Sequence, residues 1–221
     1  MVDFNKLLGS VLGSGAASGF AGGLAGGLAS KMISGKSVKK LGSSALKMGG
    51  VAAVGALAYT AYKRYNNQEQ GATEIDTTAN GAAILSAAPE GSAFMPPAND
   101  QAANEALGLT LVRAMIAAAR ADGRLDAQES QAIFQRIETL GLDSASQNVL
   151  VQEMGRPVDI DAIILSASCP EVASEIYIAS LLAIDIDTAA EQSYMAMLAA
   201  RMQLPPQLVA ELENQVSTHK S

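Results

Sequence analysis

Apolar positions fall into two unlike regimes along this chain of 221 residues. From Leu7 to Ser30 they run for 24 residues with no charge among them, diluted by Gly and Ser. A second uncharged run, MGGVAAVGALAYTAY, goes from Met48 to Tyr62. From Asp100 onward the apolar residues sit three and four apart, the spacing of helices that bury one face. Leu107, Leu111, Met115 and Ala118 make the first stripe, and Ile133, Ile137 and Leu140 the second. Val149, Leu150 and Met154 mark a third helix, and residues 160–165 a short piece before Cys169 and Pro170. Val172, Ile176, Ala179 and Leu182 outline a long buried helix, then Tyr194, Leu198 and Met202 another. Pro205 and Pro206 open a last one, with Leu208, Leu212 and Val216. No alternating strand pattern competes with these. The expected class is all-α, with residues 100–221 long enough to bury a core of their own.

The front reads differently. A helix needs about 20 apolar residues to cross the hydrocarbon core of a bilayer. Gly15, Gly19, Gly23 and Gly27 recur every fourth residue. In water each would cost about 1 kcal/mol relative to Ala, whereas in lipid the same spacing makes a flat face for a close-packed partner helix. The second run, extended back to Leu41, admits only Lys47, which can snorkel to the headgroups. Tyr59, Tyr62 and Tyr65 with Lys63 and Arg64 give it the aromatic and basic border of a membrane interface. Residues 1–65 are therefore expected to be a Gly-rich membrane anchor, a transmembrane helix or hairpin. Soluble helical structure is the competing reading. Residues 66–99 carry Gly, Asn, Thr and Pro without a sustained period. They are expected to be a flexible, largely disordered linker.

Charge sharpens the division. Residues 1–64 hold eight basic residues and one acid, whereas residues 65–221 hold seven basic and 21 acidic. The back half therefore carries −14 against +7 in front, and a surface of that sign repels phosphates, so no nucleic acid is expected as a partner. One Cys, Cys169, excludes a disulfide framework and a thiolate zinc site. One His, His219, removes most imidazole chemistry.

Two acidic corners stand out in the helical part. One reads Asp122-Gly-Arg-Leu-Asp126-Ala-Gln-Glu129, the other Asp185-Ile-Asp187-Thr-Ala-Ala-Glu191. Glu129 superposes on Glu191 and Asp126 on Thr188 at an offset of 62, so a helix–turn–helix unit used twice with pseudo-twofold symmetry is expected. Asp126 with Glu129, and Thr188 with Glu191, have the spacing of capping boxes. Capping leaves Asp122, Asp185 and Asp187 over. Clustered carboxylates suit a hard divalent cation such as calcium or magnesium, although the spacing is not that of the twelve-residue EF-hand loop. Both readings, helix caps and a metal site formed by Asp122, Asp126, Glu129, Asp185, Asp187 and Glu191, stay open.

The runs ARADGRLDAQE, EIYIASLLAIDIDTAAEQSYM and MQLPP, behind a glycine-rich front and a tyrosine-bordered apolar segment, resemble the bacterial YebE family of inner-membrane proteins of unknown function. The part from residue 100 resembles the TerB-like domain of tellurite-resistance proteins. The resemblance implies an all-helical bundle with metal-binding acidic corners, held at the inner (cytoplasmic) membrane. Ile186 replaces the Gly of the first corner in the second, which weakens their equivalence. No nucleophile–base pair or phosphate-binding loop is present. The expected function is a non-enzymatic, membrane-anchored interaction or stress-response module. Its partners would be membrane lipids, and a protein or a second copy met through the glycine face. A metal-assisted hydrolase using the corner carboxylates is the alternative.

Overall fold

A computed structural model describes residues 3–13, 50–69, 86–121, 143–184 and 186–220. Every regular element among them is helical: α1 (Phe4–Gly13), α2 (Gly50–Glu69), α3 (Gln101–Ala119), α4 (Ser144–Gly155), α5 (Ile160–Ser166), α6 (Pro170–Ala183), α7 (Ala189–Arg201) and α8 (Pro206–Lys220). The only extended pairing among the described residues is an isolated bridge between Ser92 and Met95. The all-α class read from apolar spacing is the class observed.

The helix boundaries follow from side-chain chemistry. Asp100, Asp143 and Asp159 cap α3, α4 and α5 by accepting the backbone N–H of Ala103, Ser146 and Ala162. These carboxylates satisfy N–H groups that the first helical turn leaves without partners. Pro170 sits at the start of α6, where a missing N–H costs nothing. Helix α7 ends in a Schellman arrangement. The N–H of Gln203 donates to Ala200 O at 3.1 Å and that of Leu204 to Ala199 O at 3.0 Å. Gln203 takes the left-handed conformation this requires, with φ of 56°.

Helix α6 is the axis of the packing. Every residue from Ala173 to Ala183 is buried. Burying each Ile or Leu of this run stabilises the fold by about 1.5–3 kcal/mol. Helix α3 lies along one side of α6, α2 along another, and α8 closes against both α2 and α6. Helix α1 rests on α2 and α3 and sends Leu7 and Leu8, both fully buried, into the core. Gly9 and Gly50 make the α1–α2 crossing possible, because a Cβ on Gly50 would collide with the Gly9 backbone.

This packing departs from the division at residue 65 drawn from composition. Val51, Val54, Leu57, Ala58 and Ala61 of the second apolar run belong to the same core as α3, α6 and α8. A short uncharged run of this kind also suits a helix covered on several sides by protein. Among the described helices, one is long and apolar enough to cross a membrane by length and composition. That helix is α3, and half of its apolar window is buried.

The expected linker is structured over its second half. Pro89 O accepts the N–H of Ser92 at 3.1 Å, and Gly91, with φ of 78°, supplies the left-handed turn residue. Phe94 then drops into the core and meets Tyr59 and Tyr62 edge-on, with ring centroids 5.6 and 5.5 Å away. Two of the tyrosines expected at a membrane border thus hold this loop against α2. The glycine repeat at 15–27, the second stripe at Ile133–Leu140 and the first copy of the paired corner lie outside the described residues.

Candidate functional site

Of the six predicted site residues, Asp122, Asp126, Glu129 and Asp185 lie outside the described residues. Asp187 and Glu191 are placed, at the turn between α6 and α7. Thr188 and Glu191 form the capping box expected from their spacing. Oε2 of Glu191 accepts the N–H of Asp187 at 3.1 Å, the N–H of Thr188 at 3.0 Å and the Thr188 hydroxyl at 2.9 Å. The Glu191 N–H returns to the Thr188 hydroxyl at 3.2 Å. Burial pushes the Glu191 carboxyl up, but the donors from Thr188 and Asp187 outweigh it, so its pKa lies below the ordinary value.

This geometry bears on cation binding. A divalent ion at Glu191 Oε2 would have to displace three donors. Among the described residues no group of three or more His, Cys, Asp or Glu side chains could hold a metal ion. The described half of the second corner therefore fits a helix cap and does not by itself fit a cation. The metal reading rests on Asp122, Asp126, Glu129 and Asp185.

A carboxyl that the sequence pattern does not single out is Glu175, in the middle of α6. It is 0% exposed, and neither of its oxygens has a hydrogen-bond partner among the described residues. Burial raises its pKa to about 9, so the group is a neutral acid at pH 7. Gly55 of α2 and the backbone of Phe94 close over it. A Cβ on Gly55 would lie 2.6 Å from Phe94 O and 3.0 Å from Glu175 Oε1. A signal for it is nonetheless present in the sequence. Glu175 is three residues after Val172 and four before Ala179, on the stripe that the apolar period marks as buried.

A second polar centre joins α3 to α4. Arg113 makes a forked pair with Glu153, Nε to Oε2 at 2.7 Å and Nη2 to Oε1 at 3.1 Å. Nη1 of Arg156 reaches the same Oε1 at 2.8 Å. The hydrogen bond from Arg113 holds the Glu153 carboxyl below its usual range, and the same bond raises Arg113. Beside this centre lies a cleft of about 430 Å³, between α3, α4 and α5. Its other lining residues include Ile116, Val158 and Ile163.

The Ser146 hydroxyl donates to Asp143 Oδ2 at 3.1 Å, a hydroxyl–carboxylate pair within the cap of α4. Cys169 is partly buried and precedes Pro170 at the mouth of α6 without a capping bond. Tyr177 donates its hydroxyl to Glu213 at 2.8 Å, tying α6 to α8.

Comparison with known proteins places this chain in a family. Residues 18–216 match the family described as Protein of unknown function (DUF533). The match spans most of the chain, and the protein belongs to that family. A relative from Yersinia enterocolitica, described as an uncharacterized protein in the ampR 5' region, is 26% identical over 110 residues. That alignment covers 50% of this chain and 79% of the relative. No solved structure matches.

Proposed function

We propose that the protein is a non-enzymatic interaction module held at the bacterial inner membrane by its glycine-rich front, with an acidic helical bundle presented beside the bilayer. The observation that carries this reading is the uncharged, glycine-spaced stretch up to Ser30, followed by Lys31, Lys36, Lys39, Lys40 and Lys47. An apolar segment bordered by lysines suits a bilayer whose surface is anionic. Because α2 is committed to the bundle core, the anchor in this reading falls to residues 14–49.

The finer part of the proposal is the likeness to YebE-like proteins and to TerB-like domains. With it comes a divalent cation at the first corner, through Asp122, Asp126 and Glu129. Supporting this reading, Asp100, Asp143, Asp159 and Glu191 serve as caps, Glu153 and Asp161 as ion-pair partners, and Glu213 as the acceptor for Tyr177.

Fractionation of cells making the full chain tests the anchor. The protein should stay with membranes through an alkaline carbonate wash, and Leu24→Asp with Leu28→Asp should release it. A wild-type chain recovered in the soluble fraction without detergent would overturn the proposal. For the cation, the full chain should melt at higher temperature with calcium or magnesium, and Asp122→Asn should lose that increment.

A further inference from the structure

We propose that the cleft between α3, α4 and α5 is a binding site for a small aliphatic carboxylate, whose head is held by Arg113 and Arg156 and whose tail lies on Ile116, Val158 and Ile163. This inference is independent of the membrane reading. It begins from one carboxylate oxygen that two guanidiniums share. Oε1 of Glu153 accepts from both guanidiniums, Arg113 at 3.1 Å and Arg156 at 2.8 Å. Both guanidiniums lie beside the cleft and share one carboxylate, and with Asp159 the charges of the lining sum to zero. Asp159, the other acid in the lining, makes no ion pair with either arginine among the described residues. One of its oxygens is occupied as the cap of α5, accepting the Ala162 N–H at 2.9 Å.

The remaining donors are in place. Arg113 uses Nε and Nη2 on Glu153, which leaves Nη1 without a partner among the described residues. Arg156 uses only Nη1, which leaves Nε and Nη2. Its side chain is 61% exposed, whereas the Glu153 side chain that fixes both arginines is 9% exposed. A guanidinium fork matches a planar carboxylate in two parallel hydrogen bonds, and a fork already oriented by an ion pair loses little freedom on binding.

The rest of the cleft selects the tail. Ile116 and Ile163 form an apolar floor, and Val158 remains 36% exposed at the side. A volume of about 430 Å³ falls within the range typical of small-molecule sites. The four charged side chains of the lining sum to zero, so a head with a single negative charge adds the least charge that a guanidinium fork can pair. A dianionic phosphate head would bring a second negative charge beside Glu153 and Asp159. An aliphatic chain too short to cover the floor would leave its apolar surface wet.

Titration calorimetry on the full-length protein tests the site, with octanoate, 1-octanol, octylammonium and acetate as probes below their aggregation concentrations. Octanoate should bind once per chain, with 1-octanol, octylammonium and acetate each at least tenfold weaker. Arg156→Gln should weaken octanoate about tenfold through loss of a charge-assisted hydrogen bond. Ala162→Phe, which fills the cleft from an exposed position, should abolish binding while the thermal melt confirms folding. Arg201→Gln, an exposed arginine paired with Asp161 elsewhere, should bind as the wild type does. Octanol binding as well as octanoate would overturn the proposal. So would the absence of saturable octanoate binding, or full octanoate binding by folded Ala162→Phe.

Discussion

Gly55 and Glu175 are packed so closely that a methyl group on the former would come within 3.0 Å of the latter's Oε1. The contact joins α2, from the basic front, to α6, at the centre of the acidic back. It also makes Glu175 a titration probe of the assembled bundle. The folded pKa, about 9, lies above the ordinary 4.5 of a glutamic acid. Between those values the unfolded chain has lost the proton and the folded chain keeps it. The stabilisation is complete below pH 4.5 and is lost as pH rises toward the folded pKa, with a slope of at most about 1.4 kcal/mol per pH unit. Urea denaturation at a series of pH values should show this decline in the wild type. Glu175→Gln, which has no proton to lose, should show a flatter profile across the same range. Identical slopes for the two proteins would mean that Glu175 is ionised in the fold.

Replacing Gly55 with Ala should be costly. The added Cβ would meet Phe94 O, a backbone atom, at 2.6 Å, and neither α2 nor the loop can yield by rotating a side chain. Overpacking of this kind costs about 1–3 kcal/mol. Chemical denaturation should show that loss. An unchanged midpoint would mean that α2 is not seated against the Phe94 loop.

The cap of α7 should behave as a cap. Thr188→Ala removes the hydroxyl that bonds both the Glu191 N–H and Glu191 Oε2, and should destabilise the fold by about 1 kcal/mol. Thr188→Ser should retain most of the stability. The Glu191 pKa is depressed, so the stability it contributes is present above the ordinary carboxyl range and fades as pH falls through its folded value. The cost of Thr188→Ala should therefore shrink in acid. A cost that stays constant with pH would contradict the bonding described for Glu191.

Gln203 offers a stabilising substitution. It holds φ of 56° at the end of α7, a conformation in which any Cβ is strained. Gln203→Gly should raise stability by about 1 kcal/mol, because the left-handed residue after a helix favours glycine. A lower melting temperature would show that the Gln203 side chain makes a contact worth more than the strain.

Much of the fold is legible because the back half keeps helical spacing wherever one face is buried. Leu107, Leu111, Met115 and Ala118 form a stripe in the sequence, and all four are buried on α3. The Thr188–Glu191 box is legible because capping depends on local spacing alone. Placing α2 is harder. Its uncharged run from Met48 to Tyr62 reads as a candidate span, yet the helix Gly50–Glu69 as a whole is not apolar enough to cross a membrane, and only tertiary contacts tell which surface covers it. The same limit hides the role of Tyr59 and Tyr62, whose partner Phe94 is about thirty residues away in a stretch that looks like linker. Glu175 lies on the buried stripe, yet carboxylates grouped in sequence make the stronger pattern. The Arg113–Glu153 pair spans 40 residues and leaves no local pattern.

Thiol labelling in intact membranes tests the proposal that residues 14–49 hold the chain in the membrane while α2 stays with the bundle. In a Cys169→Ser background, Leu24→Cys and Lys63→Cys each supply a single thiol. Membrane vesicles of both orientations should be treated with a water-soluble, membrane-impermeant maleimide. Lys63→Cys, on the exposed side of α2, should be labelled in one orientation without detergent. Leu24→Cys should stay unlabelled in both orientations until detergent is added. Rapid labelling of Leu24→Cys without detergent would contradict the proposal.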